Sequence, residues 1–363
     1  MNLKVIFSGF VVGAIAVLLT ILGNPPNMGY CIACFLRDIS GAIGLHRAGV
    51  VQYLRPEIVG LGLGAFVIAL ARGEFKTRGG ANPLLRFLLG VMMMIGALVF
   101  LGCPLRMTLR LAGGDLNALL GLGGFAAGIY AGVLALRSGY NPGRAQVQSQ
   151  GMGFAYPVLL VAIFVALMMR PDFVFFSAEG PGSLAAPIWI ALLSGLLIGV
   201  LAQRSRLCMA GGIRDMILIR DPHLLWGFVA IFVTALAGNL LAGAFISDFA
   251  GFNLGFVNQP IAHTAHLWNF LGMAVVGYAA VLAGGCPLRQ LILAGEGDTD
   301  ATLTVFGLIV GAGFAHNFGL AGSAAGVGLN GQIAVVASLV ILTLVAFGHK
   351  FNISLMKNTK EAA

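Results

Sequence analysis

Four of the chain's five cysteines recur in two matched settings, and they are the residues best suited to chemistry. Cys31-Ile-Ala-Cys34-Phe-Leu-Arg37-Asp38 and Cys208-Met-Ala-Gly-Gly-Ile-Arg214-Asp215 both read Cys-x-Ala-x3-Arg-Asp. Gly102-Cys103-Pro104-Leu105-Arg106 returns residue for residue as Gly285-Cys286-Pro287-Leu288-Arg289, and an aspartate lies twelve residues after each of those cysteines, at Asp115 and Asp298. A thiol is soft, polarizable and a weak donor, whereas a hydroxyl would suit a hard oxyanion better. The pattern points to contact with a species that itself presents sulfur or selenium, at sites weak enough to release it. A neutral thiol donates to an anion and a thiolate repels it; a helix N-terminus favours thiolate and an apolar site thiol.

The surrounding residues define the elements that must hold these thiols. Pro104 and Pro287 suit the first position of a short helix, where a missing N–H is no loss. Cys103 and Cys286 then fall at or near the N-cap, and the free N–H groups and dipole of such a helix favour an anion. Arg106 and Arg289 follow one turn later, either to attract that anion or to pair structurally, Arg106 with Asp115 and Arg289 with Asp298. Cysteines are often merely buried, but recurrence at four matched places argues against that reading for Cys31, Cys103, Cys208 and Cys286. Cys34 has Gly211 as its repeat partner, so it is either a packing residue or a redox partner of Cys31. His263 and His266 stand three apart with no third ligand, and no metal site, cofactor or catalytic residue is expected.

The framework is a membrane. Hydrophobic residues make up 59% of the 363-residue chain and charged residues 9%, with a mean hydropathy of +0.95. A soluble domain carries about a quarter charged residues, so a solvated surface is excluded. Ten apolar runs are expected to span, at 3–22, 58–71, 84–101, 117–137, 154–170, 188–203, 224–247, 267–284, 301–319 and 331–347. No ten-residue alternation of a β-barrel is present. The first run lacks a small-x-small cleavage site, and Tyr30 before Cys31 makes a poor lipoprotein signal, so it reads as a retained helix. The stretches 23–34, 102–116, 203–212 and 285–300 are too polar or too rich in glycine and proline to face lipid, and are expected to line a pore.

The net charge of +8 sits in short loops and is topogenic rather than a nucleic-acid footprint. Arg72, Lys76, Arg78 and Arg86 in the loop 72–86, Arg137 and Arg144 near 138–152, and Lys350, Lys357 and Lys360 at the end mark the cytoplasmic side. The segments 172–187 and 248–260 contain Asp172, Glu179 and Asp248 but no lysine or arginine. Ten spans with both termini cytoplasmic satisfy every loop. The run at 154–170 has no counterpart at the start of the chain, so it turns the second half upside down. The expected fold is an all-α integral membrane protein of about ten transmembrane helices in two inverted repeats, with cysteine-bearing re-entrant loops and half-helices. Its divisions are a first repeat with linker at 1–150, an inverting helix at 151–180, a second repeat at 181–330, and a final helix and tail at 331–363. Gly60–Gly64, Gly124–Gly128 and Gly307–Gly311 read as helix-packing contacts.

At these motifs the sequence resembles the YeeE/YedE family of bacterial sulfur-transport membrane proteins, over nearly the whole chain, and most closely the YedE branch associated with selenium metabolism. The resemblance implies inner-membrane transport, without catalysis, of thiosulfate or a selenium analogue past Cys31, Cys103, Cys208 and Cys286, which hydrogen-bond the substrate's sulfur. It also implies a small TusA-like soluble sulfur-carrier partner on the cytoplasmic side. Two rival expectations stand beside it. One is a quinone-linked membrane thiol oxidoreductase, favoured by Cys31-x2-Cys34; the other is a membrane scaffold for sulfur-carrier proteins.

Overall fold

Apolar segments that cannot hydrogen-bond to water must satisfy their backbone internally, which selects helix. The computed structural model describes residues 3–246, 249 and 251–361, with side chains described as far as Gly348. Asp248 lies outside the described residues, as do the side chains of Lys350, Lys357 and Lys360. The first half contains α1 (Leu3–Ile21), α2 (Ile32–Ala42), α3 (Pro56–Ala71), the short strand β1 (Arg78–Gly79), α4 (Pro83–Phe100), α5 (Pro104–Ala112) and α6 (Asn117–Arg137). Strand β2 (Gln146–Val147) and α7 (Gln150–Met169) join the halves. The second half contains α8 (Ile188–Ser205), α9 (Met209–Ile219), α10 (Leu225–Phe245), α11 (His266–Leu282), α12 (Pro287–Gly295) and α13 (Thr299–Asn317), and α14 (Leu329–Glu361) ends the fold.

Each of the ten expected apolar runs is a helix, and the protein is an all-α integral membrane protein. Among the described residues, eight helical stretches are long and apolar enough to cross a membrane. Helix α3, with 16 residues, is a shorter apolar helix, and α13, which carries Asp300 in its first turn and His316 in its last, is outside the eight. Four helices are half-length: α5, α9 and α12, which continue the stretches begun by α4, α8 and α11, and α2, which stands apart from them. At 11 residues for α2 and α9 and 9 for α5 and α12, they span about 14–17 Å at ~1.5 Å per residue, half of a ~30 Å hydrocarbon core.

The two halves interlock, and their contacts interchange. Helix α1 packs on α10 and α8 on α3; α4 packs on α13 and α11 on α6; α4 and α11 meet at the centre. Exchanging the halves converts each pair into the other. The short helices follow suit, with α5 on α10 and α12 on α3. Small residues permit the close approach. A Cβ on Gly124 or Gly128 would strike the carbonyl oxygens of Phe270 and Ala274 on α11, and one on Gly60 or Gly64 those of Leu192 and Leu196 on α8. Gly307 and Gly311 meet Phe87 and Val91 on α4 in the same way.

Two sets of loops gather at opposite ends of the long helices. At one end β1 pairs antiparallel with β2, Lys76 N–H donates to the Glu296 carbonyl, and Arg86 reaches the Ala283 carbonyl. At the other end Phe175 N–H donates to Ala42, Gly182 to Val50, Leu116 to Gly255 and Gly322 to Leu98. The loops rich in lysine and arginine lie in the first set, with the turn 283–300 of the second half. The segment 172–187 and the described part of 248–260 lie in the second set, with residues 43–55 and 98–116 of the first half.

Candidate functional site

Four half-helices each begin immediately after a cysteine. Cys31 caps α2, Cys103 α5, Cys208 α9 and Cys286 α12, all with extended backbone at the cap. In α5 and α12 the following proline supplies the first helical residue. In the other two the thiol itself closes the cap: the N–H of Cys34 donates to Cys31 Sγ at 3.3 Å and that of Gly211 to Cys208 Sγ at 3.2 Å. Cys34 and Gly211 therefore occupy the same place, as the repeat alignment predicts.

The caps meet in pairs within each half. Cys31 and Cys103 bring their Sγ atoms to 3.9 Å, and Cys208 and Cys286 to 3.8 Å. Because α2 also touches α12 and α5 touches α9, the two pairs approach from opposite halves. All four thiols are buried, none more than 5% exposed. Cys34 joins the first pair with its Sγ 2.6 Å from that of Cys31, so it is part of the thiol cluster as well as of the packing. The loop leading to Cys31 is braced by a buried carboxylate: Asn24 donates to Glu57 Oε1 at 2.8 Å and to the Gly29 carbonyl at 3.1 Å, and Tyr30 Oη donates to the Glu57 carbonyl at 2.9 Å.

The arginines divide differently from the expected pairing. Asp115 is bound by Arg110, Nε to Oδ2 at 2.6 Å, and not by Arg106. Arg106 is fully buried and spends its guanidinium on backbone: Nη1 reaches the Leu101 carbonyl, and Nη2 those of Ile261 at 3.1 Å and Pro260 at 3.4 Å. Asp298 is bound by Arg78 at 3.2 Å, while Arg289 pairs with Glu296 at 3.1 Å. The reason is helical geometry. An arginine one turn into a nine-residue helix stays near its start, and the aspartate after its end is reached from the last turn or from another loop. Arg110 sits in that last turn, one turn beyond Arg106, and its second-half counterpart is Leu293, so the repeat does not mark it.

The Arg-Asp pairs of the first motif do form. Arg37 binds Asp38 at 2.7 Å and Arg214 binds Asp215 at 2.8 Å. Asp38 takes a second cation, Arg55, at 2.7 Å, and Arg55 also donates to the carbonyls of Pro181 and Leu184 at 2.9 Å. Arg55 ties the cysteine-bearing α2 to the loop between the halves, and its position just before Pro56 carried no sequence signal. His263 is buried, with Nε2 2.8 Å from the Val99 carbonyl.

The fold and this site define a polytopic membrane protein with paired thiols on half-helices. Comparison with known proteins makes the class more specific. Residues 204–354, which include the Cys208 and Cys286 motifs, match the family model described as sulphur transport. A thiosulfate transporter TsuA from Spirochaeta thermophila is 32% identical over 114 residues, 31% of this chain and 32% of that protein. The thiosulfate transporter TsuA of Escherichia coli K12 is 28% identical over 120 residues, 33% of this chain and 31% of that protein. The matched stretch thus spans about a third of each relative. Each of these is a likeness over less than half of this chain.

Proposed function

We propose that this protein carries a small sulfur-containing anion, thiosulfate or a selenium analogue, across the bacterial inner membrane, passing it between the Cys31–Cys103 pair and the Cys208–Cys286 pair. The observation that carries the reading is the pairing itself. Two thiols on separate half-helices sit within 4 Å in each half of the chain, where each can donate weakly to one polarizable atom. The names of the two relatives support a thiosulfate substrate. Interchange of helix contacts between halves supports an inverted repeat, with 1–150 and 181–330 as the two units, 151–180 as the inverting helix and 331–363 as the final helix and tail. Clustering of lysine and arginine at one end supports a cytoplasmic location for that end and for both termini. A small TusA-like sulfur carrier on that side would accept the delivered sulfur. Arg289 assists by charge, and Arg106 by holding the mouth of α5 in place.

The alternative with a specific observation behind it is a membrane thiol oxidoreductase, favoured by the proximity of Cys31 and Cys34. Uptake of labelled thiosulfate into proteoliposomes containing only this protein separates the two. Saturable uptake that falls with Cys103→Ser and Cys286→Ser is expected for transport. No uptake, together with thiol-dependent quinone reduction, would replace that reading with the oxidoreductase.

A further inference from the structure

The two cysteine pairs differ in what lies in front of them. In the first half, Arg106 is locked onto the carbonyls of Leu101, Pro260 and Ile261, and Gly29, two residues before Cys31, is pressed against the Ala16 carbonyl. The corresponding residues of the second half are Arg289, three residues after Cys286, and Arg206, two before Cys208. Both line a cavity of about 490 Å³ at the basic end of the protein. Arg206 ends α8 in the left-handed conformation (φ 55°), and it is exposed.

Three more cations, Lys76, Arg78 and Arg204, line the same cavity, against only two acids, Glu74 and Glu296. The acids are already shared: Glu296 with Arg78 at 3.5 Å and Arg289 at 3.1 Å, and Glu74 with Arg204 at 2.8 Å. Lys76 and Arg206 have no ion pair among the described residues. A water occupies about 30 Å³, so the space holds an anion together with its first water shell. Low-dielectric walls around like charges focus the potential and raise the local concentration of the opposite sign.

We infer that this cavity is a separate anion-binding antechamber, selective for charge and not for softness, which takes a small doubly charged oxyanion or thioanion beside the Cys208–Cys286 pair. Its assignment as the cytoplasmic waiting site of a transport path rests on the function proposed above; the binding does not. Five cations from three stretches of chain attract any dianion, and no cysteine lines the cavity. Sulfate and thiosulfate therefore bind here alike, and discrimination falls to the thiols further in.

Calorimetric titration of sulfate into the detergent-solubilised full-length protein tests this. Saturable binding is expected, with thiosulfate within about twofold of sulfate and with affinity falling steeply as potassium chloride is raised, since exposed charges are screened within ~8 Å at 0.15 M salt. Arg206→Gln and Lys76→Gln should each weaken sulfate binding roughly three- to tenfold, and Arg206→Lys should restore most of the loss. Both side chains are exposed, so the variants fold, and an unchanged thermal midpoint would check this. Binding that is absent, insensitive to salt or unaffected by Arg206→Gln overturns the antechamber. Sulfate binding with these properties in a protein that takes up no thiosulfate would uphold the antechamber and overturn only the transport reading.

Discussion

The Sγ atoms of Cys208 and Cys286 lie 3.8 Å apart although 78 residues separate them in the chain. Each caps a different half-helix, so the contact depends on the starts of α9 and α12 converging. Cys31 and Cys103 repeat the relationship at 3.9 Å. In each pair one thiol donates to the other, which leaves the acceptor's own S–H to turn toward a third polarizable atom.

Serine keeps size and a donor but removes the soft sulfur. Cys31→Ser, Cys103→Ser, Cys208→Ser and Cys286→Ser are each expected to lower thiosulfate uptake about five- to tenfold, as a lost contact of ~1 kcal/mol implies. Cys34→Ser should cost less, because Gly211 shows that this place works without a thiol. Initial rates in proteoliposomes check the ranking, and a larger loss for Cys34→Ser than for Cys103→Ser and Cys286→Ser would reverse the assignment.

Sidedness follows from the loop sets. Single-cysteine variants retaining Cys31 or Cys103 should react with a membrane-impermeant maleimide faster from the periplasm, and those retaining Cys208 or Cys286 faster in inverted vesicles. Equal labelling of all four from one side would contradict the inverted arrangement.

Substrate choice at the thiols should follow softness at constant charge. In competition with labelled thiosulfate for uptake, selenosulfate is expected to compete well and sulfate roughly tenfold to a hundredfold less well, the sum of a few contacts of ~1 kcal/mol each. Equal competition by sulfate would make the protein a general anion channel.

The pair Arg110–Asp115 is buried completely, at 2.6 Å, with Asp115 also accepting from the backbone and side chain of Asn117 at 2.9 Å. Asp115→Asn strands a buried guanidinium, a change that costs about 3–5 kcal/mol. Thermal unfolding in detergent should show a large drop for Asp115→Asn and for Arg110→Met alone, and a smaller one for the pair Arg110→Met/Asp115→Leu. If the double variant were as unstable as the singles, desolvated charge would not be the cause.

Glu74, an exposed residue on the basic face, is held below the usual carboxylate range by hydrogen bonds from Gln203 and Arg204. A depressed carboxyl contributes its pairing above its unfolded pKa and loses it as pH falls through the folded one. Its negative charge opposes a dianion in the cavity. Glu74→Gln is therefore expected to tighten sulfate binding roughly two- to fivefold at pH 7, and to reduce the tightening that the unmodified protein shows on acidification, Glu296 supplying the rest. Sulfate titration at several pH values measures both.

The sequence by itself determined the membrane class, the ten apolar helices and the cysteine at the start of the two half-helices that open on proline; the caps at Cys31 and Cys208 came from the structure. The first three follow from local physics: apolar length, missing N–H groups at proline, and a repeat that marks equivalent places even where Cys34 stands against Gly211. Tertiary structure alone decided which charges meet. Asp115 takes Arg110 and not Arg106, whose spacing offered that pairing as one of two alternatives, and Asp298 takes Arg78 from a loop 220 residues away. Such pairs are set by which loops share an end of the bundle, a distance that no spacing encodes. The same holds for the asymmetry between two matching motifs. Arg106 and Arg289 are identical in sequence context, yet one is buried against backbone carbonyls and the other lines a charged cavity, because the loops packed over them differ.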